Sequence, residues 1–290
     1  MPKPDPARIL RQHLMTDRLL GVDAVPVPEG FSPPSRQAPP AAPSRPSPAR
    51  PTPATHHATP SQPARATPTR PATRPTPTPA PAVPMFSERY PVQQGLSTQD
   101  KTQQLEALKN RFEQDAAVQE TRPTGTTLVW SDGKVDADIM FIGEGPGEVE
   151  DREGLPFVGP AGELLNKMIT AMGLDRQDVY IANVVKYRPP GNRVPTPQEA
   201  AISGPYLAQQ AAIIAPKAIV ALGGTAAKFA LQTNTGITRL RGQWSSFTYT
   251  DPGIDLMPTF HPAYLLRSYT TDNRKKVWED LQAVLKKVSE

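Results

Sequence analysis

Cysteine is absent from this chain of 290 residues. Its absence excludes disulfide bonds and any iron–sulfur cluster held by thiolates. Long apolar runs are absent as well, since no stretch reaches the roughly 20 residues of a membrane-spanning helix. No apolar run with a cleavage site follows the N-terminal charges, so a secretory signal is not expected. We therefore expect a protein of the cytoplasm that does not associate with membranes.

Acidic residues are missing from residues 31–85, which contain six arginines. Twenty of the chain's 37 prolines lie between Pro26 and Pro84, mixed with Ala, Thr and Ser. This composition buries too little apolar surface to offset chain entropy, so we predict a disordered linker over 25–90. The net charge of the whole chain is +4, and the charges of residues 1–30 cancel. Since residues 31–85 carry a net charge of +6, residues 86–290 carry a net charge of −2. The folded part therefore needs local basic patches if it binds nucleic acid.

Helical spacing of apolar residues is present on both sides of this linker. Before it, residues 6–20 have apolar positions at helical intervals, and Gly21 ends the pattern. We assign residues 1–24 to this short helix, which either packs loosely or docks a protein partner. After the linker, residues 97–118 show the same spacing, at the start of a domain that we assign to 91–290.

Strands and helices alternate over the rest of the chain. Near-continuous apolar strands that alternate with helices are typical of a parallel sheet covered on both faces. We predict an α/β fold, a three-layer α/β/α sandwich around a central four-stranded parallel sheet. A capping box of Thr196 and Glu199 marks one helix start. The strands are predicted at 137–142, 178–183, 217–222 and 256–260, and the helices at 160–172, 198–214, 225–231 and 272–288.

A glycine-rich run, Gly143-Glu144-Gly145-Pro146-Gly147, follows the first of these strands. It lies where open α/β sheets bind ligands, and its glycines let a ligand approach the backbone. Four carboxylates follow within residues 148–153 and would repel a phosphate, while Pro146 interrupts a dinucleotide fingerprint. The run is therefore either a loop for an uncharged, planar or polar ligand or a tight turn without a ligand.

Two further segments complete a pattern of three motifs. Residues 183–193 (Asn-Val-Val-Lys-Tyr-Arg-Pro-Pro-Gly-Asn-Arg) leave the second strand, and residues 261–267 (His-Pro-Ala-Tyr-Leu-Leu-Arg) leave the last one. Together with the glycine run and its continuation over 157–162, they resemble the uracil-DNA glycosylase superfamily. Within it the resemblance is to the family-4 branch, which carries an iron–sulfur cluster. It covers roughly residues 97–288, with the motifs in the order of the family.

The resemblance implies a pocket for a base that is flipped out of DNA. The backbone at Glu144 and Gly145 would contact this base, and Phe157 would stack on it unless it is a core residue. Glu150 would exclude the methyl group of thymine, or else it is a solvated loop carboxylate. Gly145 stands where other branches carry a water-activating aspartate, which family 4 also lacks. Glu144 remains as a candidate to position water.

Asn183 and the loop after it suit recognition of uracil in DNA. Its amide has one acceptor and two donors, which match N3–H and O4 of uracil but not the reversed pattern of cytosine. The alternative is that Asn183, at the end of a strand, serves only as a cap for that strand. Lys186, Arg188 and Arg193 follow on a proline-stiffened loop, where they either grip phosphates or form a solvated basic loop.

His261 is the only histidine after residue 57. A single histidine next to a strand is commonly a core residue. The resemblance instead implies a catalytic residue that donates to uracil O2 as negative charge develops on the leaving base. Leu265 and Leu266 would then be the wedge that fills the space left by the flipped nucleotide, with Arg267 on the DNA backbone. The alternative is an amphipathic turn that packs on the core.

The chain departs from family 4 at the cluster. Two of the family's cluster cysteines fall near Tyr187 and Ser203, and two more would precede the first strand, where residues 113–126 supply none. Neither Tyr nor Ser replaces a thiolate. We predict no iron–sulfur cluster, no metal and no other cofactor, with side-chain packing in their place.

The sequence thus predicts a monomeric uracil-DNA glycosylase. This hydrolase would release uracil from single- or double-stranded DNA and so initiate base-excision repair. One rival is a non-catalytic module that binds uracil or damaged DNA within a replication or repair complex. Another is an interaction protein whose proline-rich segment is the active part.

Overall fold

The computed structural model describes residues 87–290. The expected helix over 6–20 and nearly all of the proline-rich segment lie outside these residues. Within the described part, no helix is both long and apolar enough to cross a membrane. The strands are β1 (Tyr90–Pro91), β2 (Asp132–Gly133), β3 (Ile139–Gly143), β4 (Tyr180–Asn183), β5 (Ala218–Leu222), β6 (Ser245–Ser246), β7 (Thr250–Asp251) and β8 (Asp255–Thr259).

A six-stranded sheet in the order β2-β4-β3-β5-β8-β6 forms the centre of the described domain. Its four middle strands are parallel, as predicted, with Phe141 of β3 opposite Ile181 of β4 and Val220 of β5. Each of them lies within two residues of its predicted bounds. The outer strands β2 and β6 pair in antiparallel fashion, so the complete sheet is mixed. A strand of two residues is too short to show a pattern of apolar residues, so β2 and β6 could not be predicted from the sequence. A separate parallel pair joins β1 to β7.

The five helices predicted between residues 97 and 288 are present, one of them divided in two, and the short helices Glu148–Glu153, Ile237–Leu240 and Pro262–Arg267 were not predicted. The helix predicted over 97–118 is divided at Asp115, because the side chain of Asp115 accepts a hydrogen bond from Ala117 N at 2.9 Å and starts a new helix. The capping box of Thr196 is present, with Glu199 accepting from its backbone N–H at 2.7 Å. The helices are α1 (Thr98–Gln114), α2 (Ala116–Thr121), α3 (Glu148–Glu153), α4 (Pro160–Ala171), α5 (Pro197–Ile214), α6 (Gly223–Leu231), α7 (Ile237–Leu240), α8 (Pro262–Arg267) and α9 (Thr271–Ser289).

Helices cover both faces of the sheet. Side chains alternate along a strand, so Met140 and Ile142 of β3 enter one apolar cluster with residues of α1, α5 and α6. Ile139 and Phe141 enter a second cluster with residues of α4 and α9. All five residues of β3 are buried, which explains why its sequence is a continuous apolar run. The three predicted layers are confirmed.

The carboxyl ends of the four parallel strands meet at one edge of the sheet. The chain leaves β3 for β4 on one side and later forms β5 on the other side of β3. Such a reversal opens a crevice at the strand ends. Gly143 ends β3, Asn183 ends β4, and His261 follows β8 by two residues. The three sequence motifs therefore meet at this edge.

Candidate active site

A cleft opens at this edge, and we call it the sheet-edge cleft. Its lining includes Glu144, Gly145, Glu150, Phe157 and His261. These residues come from the glycine run, helix α3, the loop before α4 and the start of α8. They are far apart in sequence, and the strand ends bring them together.

Gly143 shows how closely two of the predicted pocket residues approach each other. A Cβ atom at this position would lie 2.3 Å from Asn183 Oδ1 and 2.4 Å from Phe157 Cζ. A side chain at this position would require the buried Asn183 and Phe157 side chains to move, so glycine is the residue that fits here. Phe157 lies in turn beside His261, with 5.7 Å between the ring centroids. Phe157, Asn183 and His261 therefore form one group, which we call the pocket.

Phe157 has an unusual backbone, and Arg176 holds it in place. Its φ is 53°, in the left-handed region that a bulky residue rarely adopts. Arg176 Nη1 donates to the carbonyl of Phe157 at 3.0 Å, and Nη2 donates to the carbonyl of Pro156. Arg176 Nε bonds Asp132 at 2.6 Å. Sequence reasoning missed Arg176, because nothing in its loop indicates that it reaches the Phe157 backbone.

Asn183 is buried, being only 1% exposed, yet its side-chain oxygen has no hydrogen-bond partner among residues 87–290. A buried acceptor without a donor costs free energy and is uncommon in folded proteins. This acceptor is available to a ligand that brings an N–H group. The alternative of a strand-end cap does not agree with an unpaired side-chain oxygen.

His261 caps α8 and is held in one tautomer. The backbone N–H of Ala263 donates to Nδ1 at 3.0 Å, so the proton of the neutral ring sits on Nε2. Burial, reinforced by the charge of Arg267 and opposed by Glu150, lowers the pKa of His261 to about 4. At neutral pH the ring is therefore uncharged, and its Nε2–H is a fixed donor.

Glu150 links two segments that border the cleft through hydrogen bonds to their backbone. One carboxylate oxygen accepts from the backbone N–H groups of Val158 at 3.0 Å and Gly159 at 2.8 Å. The other accepts from Gly147 N at 3.2 Å. A carboxylate with three backbone donors is not a freely solvated one. It joins the glycine run to the loop that follows Phe157.

Two residues predicted to contact DNA are buried instead. Lys186 is 0% exposed, and its Nζ donates to Asn183 O and to the side chain of Gln210, so it cannot reach a phosphate. Leu265 is 2% exposed and packs in the apolar cluster of α4 and α9, so it cannot enter a DNA helix. Both predictions were wrong, because each residue faces inward from an otherwise exposed segment. Leu266 is 46% exposed and remains available.

The remaining residues predicted to contact DNA are Arg188, Arg193, Leu266 and Arg267, which we call the rim. Arg193 and Arg267 line the cleft. Arg193 makes two hydrogen bonds to Glu199 at 2.8 and 2.7 Å. Arg188 bonds Asn192 at 2.7 Å and lies within ion-pair distance of acidic residues of α3. Arg267 is exposed. Two of the three rim cations are thus already paired with carboxylates.

The geometry agrees with comparison to known proteins. The family model of the Uracil DNA glycosylase superfamily matches residues 130–282. The type-4 uracil-DNA glycosylase of Thermotoga maritima is 47% identical over 161 residues, which cover 54% of this chain and 81% of that protein. That of Sulfurisphaera tokodaii is 44% identical over 164 residues, covering 55% and 74%. That of Archaeoglobus fulgidus is 40% identical over 171 residues, covering 58% and 83%.

The fold and the sheet-edge cleft thus define a class, and this chain belongs to the uracil-DNA glycosylase superfamily. Within the superfamily it is similar to the type-4 enzymes, at 40–47% identity to the three relatives above.

The region where the resemblance implies an iron–sulfur cluster does not fit one. Tyr187 stacks on Phe112 with 5.8 Å between ring centroids, and the Arg122 guanidinium lies 4.8 Å above the Tyr187 ring. Ser203 lies on α5 beside this group. The chain offers no thiolate, and no group of three or more acids or histidines in the described part is arranged to hold a metal ion. Aromatic and cationic side chains fill the place instead.

Proposed function

We propose that this protein is a uracil-DNA glycosylase. It hydrolyses the N-glycosidic bond between uracil and deoxyribose in DNA, leaving free uracil and an abasic site, and so initiates base-excision repair. The observation that carries the proposal is that three distant motifs meet at one edge of the sheet. Phe157 and His261 line the cleft there, and the buried Asn183 lies with Phe157 against Gly143. Similarity to several type-4 uracil-DNA glycosylases supports it.

Recognition of the base follows from the pocket. A flipped uracil stacks on Phe157, while the unpaired oxygen of Asn183 accepts from N3–H and its amide nitrogen donates to O4. Cytosine presents the reversed pattern at this edge, which would leave buried polar groups unpaired. The carboxylate of Glu150, already fixed by three backbone donors, would crowd the methyl group of thymine.

Cleavage requires stabilisation of the leaving base. As the glycosidic bond breaks, uracil takes the bonding electron pair and becomes an anion, and the sugar acquires positive charge. The Nε2–H of His261 and the backbone near Gly145 donate to uracil O2 in this state. Water, which Glu144 of the cleft positions, then adds to the sugar carbon. The proton that this water loses neutralises the uracil anion, so the products are free uracil and an abasic sugar. No metal or other cofactor takes part in these steps, and we propose that the enzyme works without an iron–sulfur cluster.

Contact with DNA is assigned to the rim. Leu266 is the wedge that occupies the space of the flipped nucleotide, and Arg267 contacts the neighbouring phosphate. Arg188 and Arg193 contact DNA only after their ion pairs with carboxylates are broken. DNA is thus the partner we propose, and the domain acts as a monomer on it.

The test is release of uracil by the purified full chain from a uracil-containing oligonucleotide, followed by alkaline cleavage at the abasic site. We expect the wild type to cut the strand and His261→Ala to lower the single-turnover rate by about 10²–10³-fold, as for loss of one preorganised donor. Asn183→Ala should also be strongly impaired. Lys217→Ala is the control, because Lys217 pairs with Asp138 at the opposite end of the strands.

Intact strands with the wild type would reject the proposal. If the wild type binds uracil-containing DNA selectively but releases no base, the protein is the non-catalytic binding module instead. Equal rates for the wild type and His261→Ala would remove His261 from the mechanism.

A further inference from the structure

Lys186 is a buried lysine with no carboxylate partner among residues 87–290. Its side chain is fully buried, and it forms no ion pair with any residue of the described part. Burial of an ammonium group without a carboxylate is costly. An apolar residue of similar length would avoid this cost, so the lysine at this position indicates a purpose other than stability.

The surroundings of Lys186 supply two oxygen acceptors and an aromatic ring. Nζ donates to Asn183 O at 2.9 Å and to Gln210 Oε1 at 2.6 Å, and it lies 5.1 Å from the centre of the Trp130 ring. Gln210 Nε2 donates to the hydroxyl of Tyr180 at 3.1 Å, which orients the amide with its oxygen toward the lysine. Two oxygen acceptors and an aromatic face match an ammonium group.

This ammonium group lies directly behind the pocket. Its first partner, the carbonyl of Asn183, belongs to the residue whose side-chain oxygen is unpaired beside Phe157. Its second partner, Gln210, lies on α5, so the lysine ties the end of β4 to the helix layer behind it. A positive charge in a buried site acts more strongly on a nearby developing charge than it would in water.

We propose that Lys186 is a positioning residue for cleavage, which fixes the Asn183 end of β4 and places a positive charge behind the departing uracil anion. The inference rests on the proposed function. Lys186 does not touch the base, and it acts through Asn183 and through its field. Burial also lowers the pKa of Lys186 well below its usual value. The charge is therefore lost on the alkaline side at a lower pH than for an exposed lysine.

The experiment compares wild type, Lys186→Met and Lys186→Arg as full chains. Met removes the charge and the donors at similar length, and Arg keeps both. We expect Lys186→Met to lower the single-turnover rate about 10-fold at saturating DNA, with DNA affinity within about twofold of the wild type. Lys186→Arg should recover part of the rate. The wild-type rate should fall at alkaline pH, and this fall should be missing in Lys186→Met.

A stability control separates this role from simple packing. Val284→Ala removes a fully buried side chain of α9 on the other face of the sheet, toward the edge where Lys287 pairs with Asp255 at the start of β8. It should lower the melting temperature without changing the rate or the pH profile. If Lys186→Met keeps the wild-type rate and profile, or if Val284→Ala loses as much rate, the inference fails.

A second variant keeps the test decisive if Lys186→Met does not fold. Gln210→Leu removes one acceptor and leaves the lysine, so the alkaline fall in rate should move to lower pH. An unmoved profile would overturn the inference. Absence of uracil release by the wild type would instead refute the proposed function itself, so the two failures are distinguishable.

Discussion

The pocket and the rim lie at the same edge of the sheet but differ in how their side chains are held. In the pocket, Arg176 bonds the backbone of Phe157, Lys186 bonds that of Asn183, and a backbone N–H fixes the ring of His261. Phe157 and Asn183 are therefore held by side chains that do not line the cleft, and His261 is held by the first turn of its own helix. Groups fixed in this way need little reorganisation when a ligand arrives.

In the rim, each cation is either paired with a carboxylate or exposed to solvent. Arg193 is bound to Glu199, Arg188 lies near the acids of α3, and Arg267 is exposed. Residues 86–290 carry a net charge of −2, so no general attraction to DNA compensates for this. Under the proposed function, base recognition is therefore prepared in the free protein, whereas the contacts with DNA have to be assembled on binding.

Phe157→Ala should give the largest change among the pocket and rim variants that follow. Loss of a base-stacking ring costs about 1–3 kcal/mol, which corresponds to a fall of about 5- to 150-fold in kcat/KM for uracil release. Leu155→Ala is the matched control, because Leu155 is 43% exposed two residues away and should leave kcat/KM unchanged. Equal effects of the two substitutions would place the stacking contact elsewhere.

The pH dependence tests the state of His261. Its pKa of about 4 predicts that the rate at pH 5 stays within about twofold of that at pH 7.5. A histidine with the ordinary pKa near 6.5 would be only about 3% neutral at pH 5, a roughly 30-fold difference. A rate profile with a midpoint near pH 6.5 would contradict the fixed neutral ring.

The same shift affects stability in a defined direction. The unfolded chain takes up a proton near pH 6.5 and the folded chain only near pH 4. The contribution of His261 to stability is therefore complete above pH 6.5 and declines as the pH falls toward 4. Melting temperatures of wild type and His261→Ala over this range should show the wild type losing more stability on acidification.

Leu265 and Leu266 separate packing from DNA contact. Leu266→Ala should raise KM for double-stranded DNA about 10-fold through loss of buried apolar area in the complex, without changing the melting temperature. Leu265→Ala should destabilise the fold by about 2–5 kcal/mol, because its side chain is buried. Interchanged outcomes, in melting temperature and in KM, would show that the wedge has been assigned to the wrong leucine.

The smallest effects are expected for the rim cations. Arg267→Gln should raise KM a few-fold and weaken its dependence on salt, with a slope smaller by about one unit for one lost phosphate contact. Arg193→Gln should change KM by less than about twofold, since an exposed ion pair contributes little. A larger effect of Arg193→Gln would mean that its pair with Glu199 opens readily on DNA.

Much of the fold was predictable because it rests on local periodicity. Each parallel strand is an apolar run that ends in a polar or glycine-rich motif, and the capping box at Thr196 set one helix start within a residue. The antiparallel edge strands β2 and β6 were not predictable, because a strand of two residues is too short to show an alternation of apolar and polar side chains. The division of the first helix at Asp115 depends on one capping hydrogen bond.

The pocket was predicted better than the rim. Asn183 ends β4 and His261 follows β8, and the carboxyl ends of all parallel strands in a sheet lie at one edge, so the strand pattern placed both residues at that edge. The strand order, with β3 and β5 between β4 and β8, came from the tertiary structure. The depth of a side chain has no such local signal. Lys186 and Leu265 look like surface residues in sequence, and only the packing of α5 and α4 against them decides that they are buried.

The sequence by itself determined the order of strands and helices, the motifs at the strand ends and, through the lack of cysteine, the impossibility of a thiolate-held cluster. These are properties of residue type and spacing. The tertiary structure alone decided that Arg176 and Lys186 hold the pocket from behind and that the cations Arg188 and Arg193 are paired. Such contacts join residues distant in the chain, and their free energy depends on burial and distance, which local spacing does not encode.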